Sequence, residues 1–386
     1  MIHPAPLVDA SRTAAREIAE TLAAGFPLEV PFALHRGEVG IALFLGYAGA
    51  VFEHEPFADA AEELLARATS GSRALGPSLF GGFTGLAWAL EHMCGRVLAP
   101  NEDDVNEDTD RVLLELLRGG WSHRHEWMFG AVGVGVYAWE RRARPSGAAL
   151  LDQVLAQLQR EAVHRDGGVV WPVPAPEEDV NLGFAHGSPG VIAWLARVAE
   201  IPALADRARS LLRAALPPLR ATRLPAGADC VYPPSLGDYR MTTSRLAWCY
   251  GDLAIGLAFL RAARVLDDAE LRGHALELLE GAARRDADSG RVRDASFCHG
   301  SAGIAHLFRR AHEMTGEPRF AEASTRWLAD TLARRRPGEG CAGYVASRPE
   351  SQWLSDASLL TGAAGIGLVL LGACSDLAPD WDAIFL

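Results

Sequence analysis

The stretch "ASFCHGSAGIAHLF", residues 295–308, sets Cys298 and His299 side by side at the mouth of an apolar, helix-patterned run. Its Gly-x-x-Gly-apolar turn decides the fold, because the turn recurs. The copies in chain order are "HRGEVGIALFLGYA" (35–48), "FGGFTGLAWALEHM" (80–93), "FGAVGVGVYAWERR" (129–142) and "HGSPGVIAWLARVA" (186–199). They continue with "YGDLAIGLAFLRAA" (250–263), "HGSAGIAHLFRRAH" (299–312) and "TGAAGIGLVLLGAC" (361–374), seven in all. Internal repetition at a period of some tens of residues signals a repeat architecture. Ala254 replaces the second glycine in the fifth copy. Each copy runs on apolar on nearly every side, the mark of a buried helix. The glycines that open it allow close backbone packing or positive φ.

Between these runs lie segments of another kind, such as residues 149–165, 270–285 and 321–336. Their apolar residues recur at three- and four-residue spacing, as Leu151, Leu155 and Leu158 do, with charges elsewhere. That pattern predicts helices with one face on a core and one in water. Each repeat is therefore an outer amphipathic helix and an inner buried one. An open stack of such pairs needs polar end caps, yet the last copy is among the most apolar. The pattern thus predicts an all-α, double-layered α/α toroid: seven hairpin repeats, about fourteen helices, one domain over residues 1–386. Strand signals are sparse. "GGVVWPV" (167–173) predicts a short hairpin, and the Pro-rich "LPAGADCVYPPSLGDY" (224–239) a long loop.

The net charge of −12 argues against a nucleic-acid binder, which normally carries a basic face. The N-terminus reads as an amphipathic helix starting near Asp9 and not as a secretory signal. The longest uncharged apolar stretch, residues 359–374, is too short and glycine-rich to span a bilayer. Six cysteines without a signal sequence suggest reduced thiols and a cytoplasmic location.

In a toroid the openings of the inner helices gather at one end, so the residues just before each first glycine converge. In four repeats these are Arg36, Gly81, Phe129 and Thr361. The fourth to sixth repeats approach through "FAHG", "AWCYG" and "FCHG", which supply His186, Cys249, Cys298 and His299. Two thiolates and an imidazole suit Zn2+, and three protein ligands leave a fourth position open, as a catalytic zinc requires. His186 reads as a general acid/base, a fourth ligand or a satisfied core histidine, and its place in "AHGSPG" favours proton transfer. Arg245, four residues before Cys249, reads as a stabiliser of a developing anion or as half of a surface salt bridge. His123 and His125 in "WSHRHEW" (121–127) read as metal ligands or as a solvated loop, and the loop is the favoured reading. Cys94, Cys230, Cys341 and Cys374 read as packing residues.

At "GFAHGSPG" (183–190), "SRLAWCYG" (244–251) and "CHGSAG" (298–303) the sequence resembles the lanthionine synthetase C-like family, the cyclases of class I lanthipeptide biosynthesis. The resemblance runs through all seven repeats. It implies the α/α toroid, a zinc held by Cys249, Cys298 and His299, and active-site roles for His186 and Arg245. Where the family carries an aspartate, four residues before the third repeat's glycine, this chain carries Glu126. No long dehydratase region precedes the repeats, so the resemblance is to the free-standing cyclase. The implied reaction adds a zinc-activated peptide cysteine thiolate to dehydroalanine or dehydrobutyrine, giving a lanthionine or methyllanthionine thioether. The implied substrate is a dehydrated precursor peptide. A dehydratase and an export transporter are the implied partners, and they would hold the enzyme at the membrane periphery. Three rival readings remain. One is a family member that binds peptides or small thiols such as glutathione without cyclising them. Another is a prenyltransferase-like toroid. The third is a toroidal glycosidase, for which Glu126 and Asp252 make no obvious carboxylate pair.

Overall fold

The computed structural model describes residues 2–27, 32–71, 75–101, 103–172, 180–235, 244–348 and 352–386. Among them are α1 (Ala5–Ala23), α2 (Glu38–Phe52), α3 (Glu55–Gly71), α4 (Phe83–Met93), α5 (Glu107–Arg118), α6 (Ala131–Glu140) and α7 (Pro145–Glu161). After a hairpin of β1 (Val163–Arg165) and β2 (Gly168–Val170) come α8 (Ser188–Val198), α9 (Ala205–Ala221), α10 (Asp252–Leu266), α11 (Ala269–Ala283) and the one-turn α12 (Ala287–Gly290). Then follow α13 (Ser301–Thr315), α14 (Pro318–Ala333), the hairpin of β3 (Ala346–Ser347) and β4 (Trp353–Leu354), α15 (Ala363–Cys374) and a 3-10 turn at Asp380–Ile384.

The seven first glycines, from Gly37 to Gly362, are the N-caps of α2, α4, α6, α8, α10, α13 and α15. These are the inner helices. Every residue of α15 is buried. Apart from the single-turn α12, the other seven helices are the outer set. In α7 the buried stripe includes Leu151, Leu155 and Leu158, as the spacing predicts.

Close approach, more than unusual dihedrals, explains the glycines. Only Gly251 among the seven N-caps has positive φ, at 101°. The second glycine lies against the carbonyl of a large residue three positions before the first. A Cβ added at Gly303 would stand 1.7 Å from the oxygen of Phe297. That anchor position holds Leu34, Leu79, Trp127, Phe184, Trp248, Phe297 and Leu359, all buried.

Within the described residues the chain divides into two compact units. The first comprises residues up to Gly76, Phe80–Asn106 and Val292–Phe385; the second comprises Pro77–Leu79 and Glu107–Arg291. In the first, α3 packs on α2, α14 on α13 and α1 on α15. There α15 also lies against α2, so the last repeat meets the first, as its apolar surface predicts. The C-terminal 3-10 turn is fastened to α13 by the buried Asp382, which accepts from His306 Nε2 at 2.8 Å and is paired with Arg310. In the second unit, α7 packs on α6, α9 on α8 and α11 on α10, with α8 flanked by α6 and α10. There the buried Asp110 carboxylate accepts from Tyr137 and Ser146 hydroxyls, each at 2.6 Å, and from Arg141.

Some boundaries differ from the sequence reading. α1 begins at Ala5, because prolines pre-set the first turn. α7 ends at Glu161, and Val163–Arg165 pair with Gly168–Val170 instead of continuing the helix. The turn between them is Asp166-Gly167, both at positive φ (49° and 77°), the requirement of a two-residue I′ hairpin turn. Val173 of the predicted hairpin and residues 236–239 of the predicted long loop lie outside the described residues. No helix among the described residues is long and apolar enough to cross a membrane.

Candidate active site

The loops before α6, α8, α13 and α15 are closed by a recurring clasp. The N–H after the first glycine donates to a carbonyl six positions before that glycine. The pairs are Ala131 to Arg124 (2.9 Å), Ser188 to Asn181 (3.1 Å), Ser301 to Asp294 (3.1 Å) and Ala363 to Asp356 (2.9 Å). The anchor three residues before the glycine is thereby turned into the core. The residue immediately before the glycine is left more exposed, as at half-buried His186, Tyr250 and His299.

His186 and Cys249 come from neighbouring loops that are stitched together. The N–H of Ala185 donates to the carbonyl of Cys249 at 3.3 Å. Asn181 Nδ2 donates to the Tyr250 hydroxyl at 2.8 Å, and the Tyr250 ring packs so closely on Gly183 that a Cβ there would lie 2.5 Å from it. His186 has Glu126 Oε2 at 3.2 Å from its Nδ1. Glu126 is itself 1% exposed, and its carboxylate accepts the N–H groups of Met128 (2.7 Å) and Phe129 (2.9 Å). A carboxylate fixed in this way is placed to accept Nδ1–H, the tautomer that leaves the lone pair on Nε2. Phe129 stacks on the His186 ring at 6.0 Å, and Tyr250 tilts toward it at 6.4 Å. Burial pushes the Tyr250 hydroxyl above its ordinary range. The thiol of Cys249 and the carboxylate of Glu126 push the same way, against Asn181 and Arg245.

Cys249, Cys298 and His299 are brought together: their ligand atoms all lie within 4.8 Å of one another. At a tetrahedral angle two metal–ligand bonds of about 2.3 Å set their ligand atoms about 3.8 Å apart, so one zinc ion could reach all three after side-chain rotations that draw them closer. The Cys298 N–H donates to the carbonyl of Leu360 at 2.8 Å, which fixes that ligand's backbone. Two sulfurs and an imidazole are the donor set that zinc selects, so the residues fit the ion.

Arg245 is exposed and, among the described residues, makes neither a hydrogen bond nor an ion pair. The surface salt bridge is therefore not seen. Asp252 is buried and burial raises its pKa. Its carboxylate is committed to the N–H groups of Val231 (2.9 Å) and Tyr232 (3.0 Å).

Two readings of the sequence need correction. His125 is not solvated: it is 6% exposed, its Nε2 has no partner among the described residues, and burial holds its pKa down at about 4. The reason is positional, since five residues before the glycine the last four repeats carry the buried Leu182, Leu246, Ala295 and Ala357. Only His123 is exposed. Cys94 is likewise exposed and not a packing residue, its sulfur accepting the N–H of Asn101 at 3.1 Å. Cys230, Cys341 and Cys374 are buried, and no disulfide forms among the described residues. Sequence reasoning missed Phe129, Tyr250 and Asn181 as neighbours of His186. Their positions in the repeat, one and six residues before a first glycine, were the available signal.

The sequence matches the family model of lanthionine synthetase C-like proteins over residues 29–386. The chain therefore belongs to that family. Among solved structures it is similar to nisin cyclase, with 17% identity and a TM-score of 0.75 over 97% of this chain and 96% of that one. The shared fold is the all-α α/α toroid. A sugar epimerase from a ruminal bacterium is a looser likeness (TM-score 0.44, 9% identity, 87% of this chain and 86% of that). So is an inactive variant of an alpha-1,6-mannanase of Salegentibacter sp. HEL1_6 (TM-score 0.46, 11% identity, 95% of this chain and 100% of that). Neither carries a functional argument. No curated protein matches the sequence.

Proposed function

We propose that the chain is a zinc-dependent lanthipeptide cyclase acting on a dehydrated precursor peptide. The observation that carries this reading is the gathering of Cys249, Cys298 and His299, with Cys249 backbone-linked to the loop of a carboxylate-held His186. Cys249, Cys298 and His299 would hold the ion. A bound zinc supplies Lewis acidity that makes a peptide thiol ionise near neutral pH.

The chain's own residues do the rest. His186 takes up the thiol proton at Nε2 and returns a proton to the substrate α-carbon. Glu126 keeps the ring oriented and its Nδ1–H occupied. The Arg245 guanidinium faces the negative charge that develops on the enolate oxygen. Phe129 and Tyr250 flank the imidazole and limit water. The balance is closed: S–H adds across Cα=Cβ, an S–Cβ bond forms, a proton ends on Cα, and no redox partner is needed. The likeness to nisin cyclase supports a peptide substrate of this class. A dehydratase supplies that substrate in this reading, and export follows cyclisation.

The test is zinc content together with cyclisation of a dehydrated peptide. About one zinc per chain is expected in the wild type, lost in Cys298→Ala and kept in His186→Ala, which no longer turns over. A His186→Ala variant that cyclises normally, or a folded wild type without zinc, overturns the mechanism. Zinc with peptide binding but no cyclisation would mark a thiol- or peptide-binding member of the family.

A further inference from the structure

A cavity of about 190 Å³ opens beside the loop that carries Cys298 and His299. Arg293, Arg334, Arg336, Asp294, Tyr344 and Trp353 line it. Three guanidiniums against one carboxylate is a local reversal of sign in a chain of net charge −12. Asp294 is buried and committed: one oxygen accepts from Ser296 N–H (3.0 Å) and hydroxyl (2.8 Å), the other from Ser347 N–H (2.9 Å). Arg334 is part of the frame, paired with Asp330 and donating to the Arg293 carbonyl at 2.7 Å. The other two cations are available. The Arg293 side chain is exposed and has no partner among the described residues, and Arg336 reaches only the exposed Glu339, at 3.5 Å. The Arg336 guanidinium also lies 4.6 Å over the exposed Trp353 ring, which forms an apolar wall beside the charge. Tyr344 is 2% exposed, and its hydroxyl has no hydrogen-bond partner among the described residues. Burial holds that hydroxyl protonated, with its pKa at about 12, so it is a buried donor waiting for an acceptor.

We infer that this cavity docks an acidic side chain of the peptide substrate, its carboxylate entering between Arg293 and Arg336 with its aliphatic part on Trp353. The occupant's identity rests on the peptide-substrate reading above; the anion site itself does not. Guanidinium forks favour carboxylates and phosphates. The cavity, about 190 Å³, has room for one carboxyl-bearing side chain. Its position gives the docking a purpose. Asp294 starts the loop to Cys298 and His299, and its carboxylate ties Ser347 of β3, the partner strand of Trp353, to that loop. An acidic residue held there keeps the peptide on the same loop as the metal ligands.

The experiment is fluorescence anisotropy of a fluorescein-labelled hexaglutamate peptide on the zinc-loaded protein, with hexaglutamine as control. Binding of hexaglutamate alone is expected, weakened about tenfold in the Arg293→Ala/Arg336→Ala double variant, unchanged in Arg213→Ala, an exposed arginine of α9, and weakened by salt. With a dehydrated substrate bearing an acidic segment, the double variant should raise KM about tenfold and leave kcat unchanged. Equal hexaglutamate affinity in the double variant and the wild type overturns the proposal. So does displacement of the peptide by inorganic phosphate at an equal concentration of anionic groups, which assigns the cavity to free phosphate. Arginine-dependent hexaglutamate binding by a protein that never cyclises keeps the docking site and removes the cyclase reading, so the two failures are separable.

Discussion

His186 Nδ1 and Glu126 Oε2 stand 3.2 Å apart, and the same carboxylate is fastened to two backbone N–H groups of the next turn. The imidazole is thus oriented by a group that cannot swing away. Glutamate reaches both the amides and the ring; an aspartate, one methylene shorter, must give up part of that. Glu126→Gln keeps the length but sets an NH2 group against donors. We expect it to lower kcat about a hundredfold, on the scale of losing one charge-assisted hydrogen bond of about 1.5–3 kcal/mol. Zinc content should not change. Glu126→Asp should fall between the two. Steady-state cyclisation with parallel metal analysis checks this, and a Gln variant with wild-type kcat removes Glu126 from the site.

Chelation gives a second outcome. The loops of the candidate ligands are held by backbone bonds, Cys298 N–H to Leu360 and Ala185 N–H to Cys249. Removing the metal with a chelator should therefore abolish cyclisation while leaving the far-ultraviolet circular dichroism of the helices unchanged. Added zinc should restore activity. Loss of helicity on chelation would make the ion structural, as in small zinc domains.

Buried His125 makes the stability acid-sensitive. Its ordinary pKa is 6.5 and the folded value about 4, from burial first and the neighbouring Arg124 second. Between those values the unfolded chain takes up a proton that the folded one refuses. The contribution is whole above pH 6.5 and lost as pH falls toward 4, by up to about 1.4 kcal/mol per pH unit. Other repeats carry Leu182 and Leu246 at this position. His125→Leu should therefore hold or raise Tm at pH 7.5 and show a smaller drop between pH 7.5 and 5. Burial likewise lowers the pKa of His306, so part of the acid loss remains. An unchanged drop would show that His125 is solvated in the folded protein.

The repeat was legible because most of its glycines sit where the backbone approaches closely, and all seven helix starts follow from them. The candidate metal cluster was legible for the same reason: Cys249, Cys298 and His299 occupy set positions before a first glycine, and their ligand atoms lie within 4.8 Å of one another. What was not legible depends on neighbours that periodicity does not name. Glu126 stands out in the sequence only against a family pattern, yet its partners are two amides and a ring 60 residues away. Tyr250 meets His186 only because Asn181 and Gly183 hold its ring. The Asp166-Gly167 turn was a local signal overlooked because the apolar pattern of α7 ran into it. His125 was misread as solvated because its charged neighbours outweighed its register.

Gly303 supplies the sharpest test of the packing argument. A methyl group there would lie 1.7 Å from the Phe297 carbonyl oxygen, a backbone atom that cannot step aside, since Phe297 is itself buried against Phe385 with ring centroids 4.0 Å apart. Overpacking usually costs about 1–3 kcal/mol and more where backbone must move, so Gly303→Ala should cost at least about 3 kcal/mol. The fifth repeat already carries Ala254 at this position, where Gly251 takes positive φ and the loop before it has a different path. Ala254→Gly should therefore cost only about 1 kcal/mol, the ordinary penalty of glycine in a helix. Thermal or urea unfolding of the two variants checks the asymmetry. Because Gly303 lies four residues after His299, the Ala variant should also lose zinc, whereas Ala254→Gly should retain it. Equal stability of both variants would mean that the second glycine is a habit of the repeat and not a requirement of its geometry.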